Sequence, residues 1–233
     1  MTQIEFEQQL ACIQETHPGL SGCVSSEGFE ISGVFVLNHS ANNIPLYEEY
    51  SLKIIVPSSF PYEFPKVWET SDLIPKGFDH VYPDGHLCLA ANCEIALLLD
   101  RDPSLNTFIE ELVASYLYSA SYYAKYRVYP FGERKHGNKG IKQAYAERYH
   151  SNSDDVLWFL LEYVAGIATY RGHIPCPCHS GKRLRECHGE FVLPDLRSPW
   201  YPLYRDEATL VLCDMLKRRR IQNGNSRTPK RGF

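Results

Sequence analysis

Residues 50–67 read "YSLKIIVPSSFPYEFPKV", and this stretch decides how the first half of the chain is to be understood. Its opening alternates: Tyr50, Leu52, Ile54 and Val56 are apolar and their neighbours mostly polar. A period of two marks a strand with one buried face. Prolines follow at 57, 61 and 65. Proline fixes φ and removes a donor, so helix and central strand are both excluded here. The segment must be a rigid extended loop that leads into a short strand near Val67-Trp68.

Upstream, Phe29, Ile31, Gly33, Phe35 and Leu37 alternate in the same way, with Asn42, Asn43 and Pro45 lying between the two runs. This predicts an antiparallel meander. Before it, Thr2 and Glu5 have capping-box spacing, Phe6, Leu10 and Ile13 share a helical face, and His17-Pro18-Gly19 ends the helix. Downstream, Asp102 is placed to cap a helix that opens on Pro103. Leu105, Phe108, Ile109, Leu112, Val113, Tyr116, Leu117 and Ala120 then trace its apolar stripe. "YPFGERKHGNKG" reads as a loop and residues 141–149 as a short helix. Asp154 or Asp155 caps a further helix through Tyr170, apolar nearly all round and so expected to sit between modules.

The chain has 233 residues, 44% of them hydrophobic and 22% charged, which is enough for one core-bearing domain and a smaller appendage. Net charge is −4, which gives no sign of nucleic-acid binding by the protein as a whole. No acidic residue follows Asp214, whereas Lys217, Arg218, Arg219, Arg220, Arg227, Lys230 and Arg231 make the end basic. A flexible, solvated tail over 217–233 is the expectation; contact with nucleic acid or an acidic partner is the alternative. The start, "MTQIEFEQQL", is polar and acidic, unlike a secretory signal. The longest apolar run, Val156 to Leu161, is far too short to span a membrane. Eight cysteines without a signal point to the cytoplasm, where cysteines serve as ligands or nucleophiles more often than as disulfides.

Four of these ligand-type residues stand close together in "CPCHSGKRLRECH": Cys176, Cys178, Cys187 and His188, spaced C-x-C-x8-C-H. Three thiolates and an imidazole suit tetrahedral structural zinc and leave no open coordination position. Ser180-Gly181 supplies the turn that brings the second pair back to the first. So short a segment cannot bury a core, so the metal supplies much of its folding free energy. His173 and His179 read as bystanders. The segment resembles the SEC-C motif, a small zinc knuckle, over residues 174–189.

A second constellation is "HVYPDGHLCL", residues 80–89. Pro83-Asp84-Gly85 is a turn signal. Beyond it Leu87 and Leu89 share one face, His86 and Cys88 the other. If the leucines enter the core, Cys88 faces outward with His86 beside it and His80 close by. Histidine neighbours would lower its pKa, and the thiolate is the attacking form. Zinc binding by His80, His86, Cys88 and Cys93 fits no common spacing. A papain-like site would need the cysteine at a helix start. Cys93 reads as a small packing residue or a second thiol.

The order of elements resembles the ubiquitin-conjugating enzyme (UBC) fold: N-terminal helix, antiparallel meander, proline-rich loop, cysteine segment, long helix. Pro57, Phe60, Pro61, Pro65 and Val67 match that family's proline motif, and Gly85, Leu87, Cys88 and Leu89 its active-site stretch. "DPSLNTFIEEL" is similar to the start of its following helix. The resemblance covers roughly residues 1–130. It implies an α+β UBC-like domain over 1–150, then a helical segment with the zinc knuckle over 151–216.

It also implies an acyl transferase that carries a modifier as a thioester on Cys88 and passes it to an amine. The family's His-Pro-Asn falls here on Phe78, Asp79 and His80, so His80 stands where an asparagine organises the oxyanion. The usual tryptophan before the next helix is absent, its place taken by "LLLDR". The histidine in place of asparagine resembles the bacterial branch, whose members occur in antiviral defence operons. The implied partners are an activating enzyme or other thioester donor, and a ubiquitin-like modifier or the C-terminus of a cGAS-like nucleotidyltransferase. No membrane or nucleic acid is among them. A scaffold that kept the fold without the chemistry is the competing reading. A nucleic-acid binder acting through knuckle and tail ranks below both, since the tail lacks stacking aromatics before Phe233.

Overall fold

The computed structural model describes residues 1–41, 43–132, 135, 137–151 and 153–225. The chain divides into two compact units, Met1–Arg134 and Lys135–Phe233, so the division precedes residue 150 by a helix.

The first unit opens on α1 (Gln3–Thr16), whose capping box forms in full: Thr2 accepts from the Glu5 amide, and Glu5 accepts from the Thr2 amide. A meander follows, β1 (Leu20–Ser25), β2 (Gly28–Ala41), β3 (Ile44–Val56) and β4 (Lys66–Glu69), as one antiparallel sheet in chain order. The long β2–β3 ladder pairs Phe29 with Val56 and Ala41 with Ile44. Pro45 is therefore the second residue of β3, opposite Ser40, instead of part of the turn. A proline is admitted at a strand start because few ladder bonds are lost there. Asn43 takes φ +61° in the turn, and Asn42 lies outside the described residues.

The expected alternation holds. Phe29, Ile31, Phe35 and Leu37 of β2, and Tyr50, Leu52, Ile54 and Val56 of β3, are all buried. Phe6 of α1 stacks on Phe29 at 4.5 Å. The rest of the face meets a long helix over 105–126. It starts as α3 (Leu105–Thr107), runs through a π-helical stretch (Phe108–Val113) and continues as α4 (Ala114–Tyr126). Its cap is Ser104, which accepts from the Thr107 amide, and Asp102 instead closes the preceding helix. That preceding helix, α2 (Asn92–Arg101), occupies the "LLLDR" region and buries Cys93, Ile95, Ala96 and Leu99.

The second unit contains α5 (Gly137–Arg148), α6 (Asp154–Val164), a short 3-10 turn (Leu184–Glu186), α7 (Gly189–Arg197) and α8 (Tyr201–Asn225). Ser153, not an aspartate, caps α6. The helix stops well before Tyr170 because Gly166, at φ +72°, turns the chain as only glycine does cheaply. Its apolar sides are covered by α7 and α8 of the same unit. Lys217 to Arg220 belong to α8, so this part of the supposed tail is helical, while Arg227, Lys230 and Arg231 lie outside the described residues. The loop residues Arg134 and His136 also lie outside them. No helix among the described residues is long and apolar enough to cross a membrane.

Buried polar contacts tie α5 to its neighbours. Asp195 of α7, 1% exposed, accepts from Arg148 Nε at 2.8 Å and from the Tyr149 hydroxyl at 2.7 Å. Arg148 Nη2 reaches its other oxygen. Removing one partner of a buried pair leaves an uncompensated charge, at a cost of roughly 3–5 kcal/mol. Asp195→Ala should therefore destabilise the second unit strongly. Hydrogen exchange in α5 and α7 should lose protection, while β2 and β3 amides keep theirs.

Candidate functional site

The Cys88 site is built by a hairpin. Gly85 N donates to Tyr82 O at 2.9 Å and Tyr82 N to His86 O at 2.8 Å. Gly85 sits at φ +88°, the left-handed position that closes a three-residue loop. Val81 bridges Leu87, and Cys88 N donates to His80 O at 2.8 Å. His80 and Cys88 are thus opposite one another across the hairpin, and opposite residues share a face. The His80 carbonyl also accepts from the Tyr116 hydroxyl of α4 at 2.9 Å, which fastens the hairpin to the long helix.

Both side chains line an open cavity of about 280 Å³. Its walls are mixed: Phe78, Tyr116 and Tyr129 are aromatic, Glu94 comes from α2, and Glu111 and Leu112 come from the π-helical stretch. Leu87 enters the core, at 4% exposure, but Leu89 lines the cavity with Cys88. The alternation therefore stops at Cys88, which is half-buried instead of outward. His86 does not line this cavity. Its Nδ1 lies 2.5 Å from Asp84 Oδ1, and its ring stacks on Tyr82 at 4.1 Å.

Burial pushes the Cys88 thiol above its ordinary value, and the charge of Glu94 adds to the rise; a hydrogen bond from Tyr82 opposes it. This overturns the lowered value anticipated from the flanking histidines. Cys93 is buried in α2, as a packing residue would be. The contributions of Tyr82, Glu94 and Tyr116 were not anticipated, because two come from other elements and one from hairpin register.

The metal centre lies in the second unit. Cys176, Cys178, Cys187 and His188 bring their ligand atoms within 4.8 Å of one another. Cys176 Sγ is 3.2 Å and Cys187 Sγ 3.3 Å from His188 Nδ1, and Cys178 and Cys187 Sγ are 3.5 Å apart. Metal–sulfur bonds of about 2.3 Å make tetrahedral edges of about 3.8 Å, so this donor set fits zinc. Local backbone builds it: Cys176 N donates to Lys182 O at 2.9 Å, Pro175 bridges Arg183, and α7 begins directly after His188. Leu184, between the two ligand pairs in the chain, is fully buried. Burial raises the Cys176 thiol and Ser180 lowers that of Cys178; a cation held among them would favour thiolate at both. His173 and His179 are exposed and stand outside the cluster.

A family model described as the SEC-C motif matches residues 174–190, the segment that carries all four ligands. No curated protein and no solved structure matches the chain.

The electrostatics of Cys88 give a signed expectation. A thiol raised above the usual value stays protonated at neutral pH, so alkylation of Cys88 should accelerate only as pH climbs past that raised value. Glu94→Gln removes the nearby charge while keeping an acceptor for the Ala91 amide it caps. The pH–rate midpoint for Cys88, followed by peptide mass spectrometry, should move down.

Proposed function

We propose that the first unit is a ubiquitin-conjugating-like acyl carrier with Cys88 as nucleophile and His80 at the oxyanion. The observation that carries this is the cross-hairpin pairing of His80 with Cys88 at one open cavity. It is supported by the element order: helix, four-stranded meander, proline loop, cysteine hairpin, long helix. The Cys88 thiolate attacks the thioester carbonyl of an incoming modifier, and the donor's thiolate leaves. An amine then attacks the Cys88 thioester, loses a proton, and the Cys88 thiolate leaves. Each step passes through a tetrahedral oxyanion, and a His80 N–H is the group proposed to hold it. On this reading the partners are a thioester donor and a ubiquitin-like modifier or the C-terminus of a cGAS-like nucleotidyltransferase, in an antiviral defence setting in the bacterial cytoplasm.

The raised thiol of Cys88 favours a second reading, a UBC-fold interaction scaffold in which the cysteine only packs. Cys88→Ser separates the two. Serine turns a transient thioester into a longer-lived oxyester. Isolated from its native host, the variant should carry an adduct that maps to residue 88 and whose mass identifies the cargo. A bare variant with wild-type activity would establish the scaffold.

In the second unit Cys176, Cys178, Cys187 and His188 hold a structural zinc ion, which cross-links a segment with little core of its own. One zinc per chain is expected by emission spectrometry. Cys187→Ser should lose it and expose α7 to hydrogen exchange, while Cys88→Ser retains full occupancy.

A further inference from the structure

The long helix over 105–126 does not keep one helical step throughout, and the break falls at the Cys88 cavity. An apolar stripe at α-helical spacing runs from Leu105 through Phe108, Ile109, Leu112, Val113, Tyr116 and Leu117 to Ala120. Seven of these eight side chains are buried. Leu112 is the exception: it is half-buried and lines the same cavity as Cys88. Ala114 and Tyr118, which lie off the stripe, are buried as well. The backbone shows why. Phe108 N donates to Ser104 O, an α-helical bond, but Ala114 N donates to Ile109 O, five residues back. One extra residue is therefore held in the π-helical stretch, and each residue beyond it is turned by about 100° from its α-helical place.

Both ends of the helix are pinned, and the pins are one residue out of step. At the first end Gln9 Oε1 of α1 accepts from Leu105 N at 2.6 Å, and His17 Nε2 donates to Glu110 Oε1 at 2.8 Å. At the far end the Tyr118 hydroxyl donates to Ala41 O at 2.9 Å and to Ile44 O at 3.0 Å, and the Tyr50 hydroxyl pairs with Ser121 Oγ at 2.6 Å. The same rotation brings the Tyr116 hydroxyl to His80 O at 2.9 Å. A continuous α-helix grown from the first end would turn Tyr118 away from the β2–β3 turn and carry Leu112 into the core. The apolar stripe favours that arrangement, and the hydroxyl contacts oppose it.

We propose that Tyr118 and Ser121 are positioning residues for the Cys88 cavity. Their contacts hold the second half of the helix one residue out of α-helical step, and the π-helical stretch takes up that residue at the cavity wall. Leu112 then stands in the wall, and Tyr116 is aimed at the His80 carbonyl. Cast as an aid to transfer, by fixing the wall that an acceptor amine meets, this rests on the carrier reading above; as a statement about the helix it stands alone. The element is bistable because the sequence carries two overlapping apolar faces. One includes Leu112 and excludes Ala114 and Tyr118; the other does the reverse.

The test reads the register directly and needs no modifier or partner. Leu112→Cys and Ala114→Cys are made separately in the full zinc-loaded chain and alkylated with iodoacetamide. Each site is followed by peptide mass spectrometry against the exposed Cys12, Cys23 and Cys213. Residue 112 should react and residue 114 should be protected. Adding Tyr118→Phe with Ser121→Ala, which removes both hydroxyls and keeps the apolar bulk, should reverse that order. Two lost hydrogen bonds are enough to change each rate roughly tenfold, downward at 112 and upward at 114. In chains that keep Leu112 and Ala114, the same pair of substitutions should raise the rate at Cys88 of an iodoacetamide bearing a naphthyl group, relative to iodoacetamide itself. The ratio cancels any change in thiolate fraction.

Rates at 112 and 114 that stay unchanged, or that rise together as a loosened fold would make them, overturn the proposal. A reversal at those two positions with an unchanged Cys88 ratio overturns the link to the cavity. Should Cys88→Ser prove bare of any adduct, the carrier reading fails while residues 112 and 114 still decide the register.

Discussion

The first unit depends on covering one apolar sheet face, with α1 at one end and the helix over 105–126 across the rest. Eight alternating side chains of β2 and β3 point to that face, and each contributes roughly 1.5–3 kcal/mol only if water is excluded from it. A slip of one residue in the ladder would turn all of them outward, so the face also fixes the register. The helix over 105–126 is fixed about its own axis by two tyrosine hydroxyls. Tyr118 donates to Ala41 O and Ile44 O at the β2–β3 turn, and the hydroxyl of Tyr50 pairs with Ser121 Oγ at 2.6 Å. With the helix held in that rotation, Leu112, Ser115 and Tyr116 fall on the side that walls the Cys88 cavity. The packing that makes the fold thus also shapes the site.

Local signals survived the passage from sequence to structure best. The Thr2–Glu5 box, the period-two runs and the proline loop each depend on residues close in the chain. The metal ligands are the extreme case, because one short turn gathers all four of them. Expectations that depend on choosing between neighbouring residues fare worse: Ser104 caps the long helix, although Asp102 and Pro103 look as suitable. The helix α2 was overlooked because Ala91 at its N-cap has no side-chain acceptor, and its leucine run shows no clear face. Its Glu94, three residues on, was the available signal. Lys217 to Arg220 looked like tail because charge density suggests solvation. In α8, Arg219 instead lies over the Trp158 ring at 4.9 Å and pairs with Asp155.

The Cys88 site shows where sequence reasoning meets its limit. The turn signal implied that His80 and His86 both stand near the cysteine; the hairpin brings His80 opposite it, while His86 is held by Asp84 and Tyr82. It carried no information on which histidine shares the cavity. That is settled by pairing: residue 80 lies opposite residue 88, and residue 86 opposite residue 82. Burial was equally out of reach, because Glu94 and Tyr116 arrive from elements distant in the chain. The expected acidic thiol therefore became a raised one.

A raised thiol suits a carrier better than it suits a hydrolase. Thiolate supply falls as the pKa climbs, which slows attack, but the sulfur that does attack is the stronger nucleophile. The larger consequence concerns the loaded state. A more basic thiolate is a poorer leaving group, so a thioester on a half-buried, raised cysteine is less prone to loss by attack of water. A hydrolytic cysteine needs the reverse, a lowered pKa and ready water. On the carrier reading, burial at residue 88 holds cargo until an amine, intrinsically more nucleophilic than water, enters the cavity.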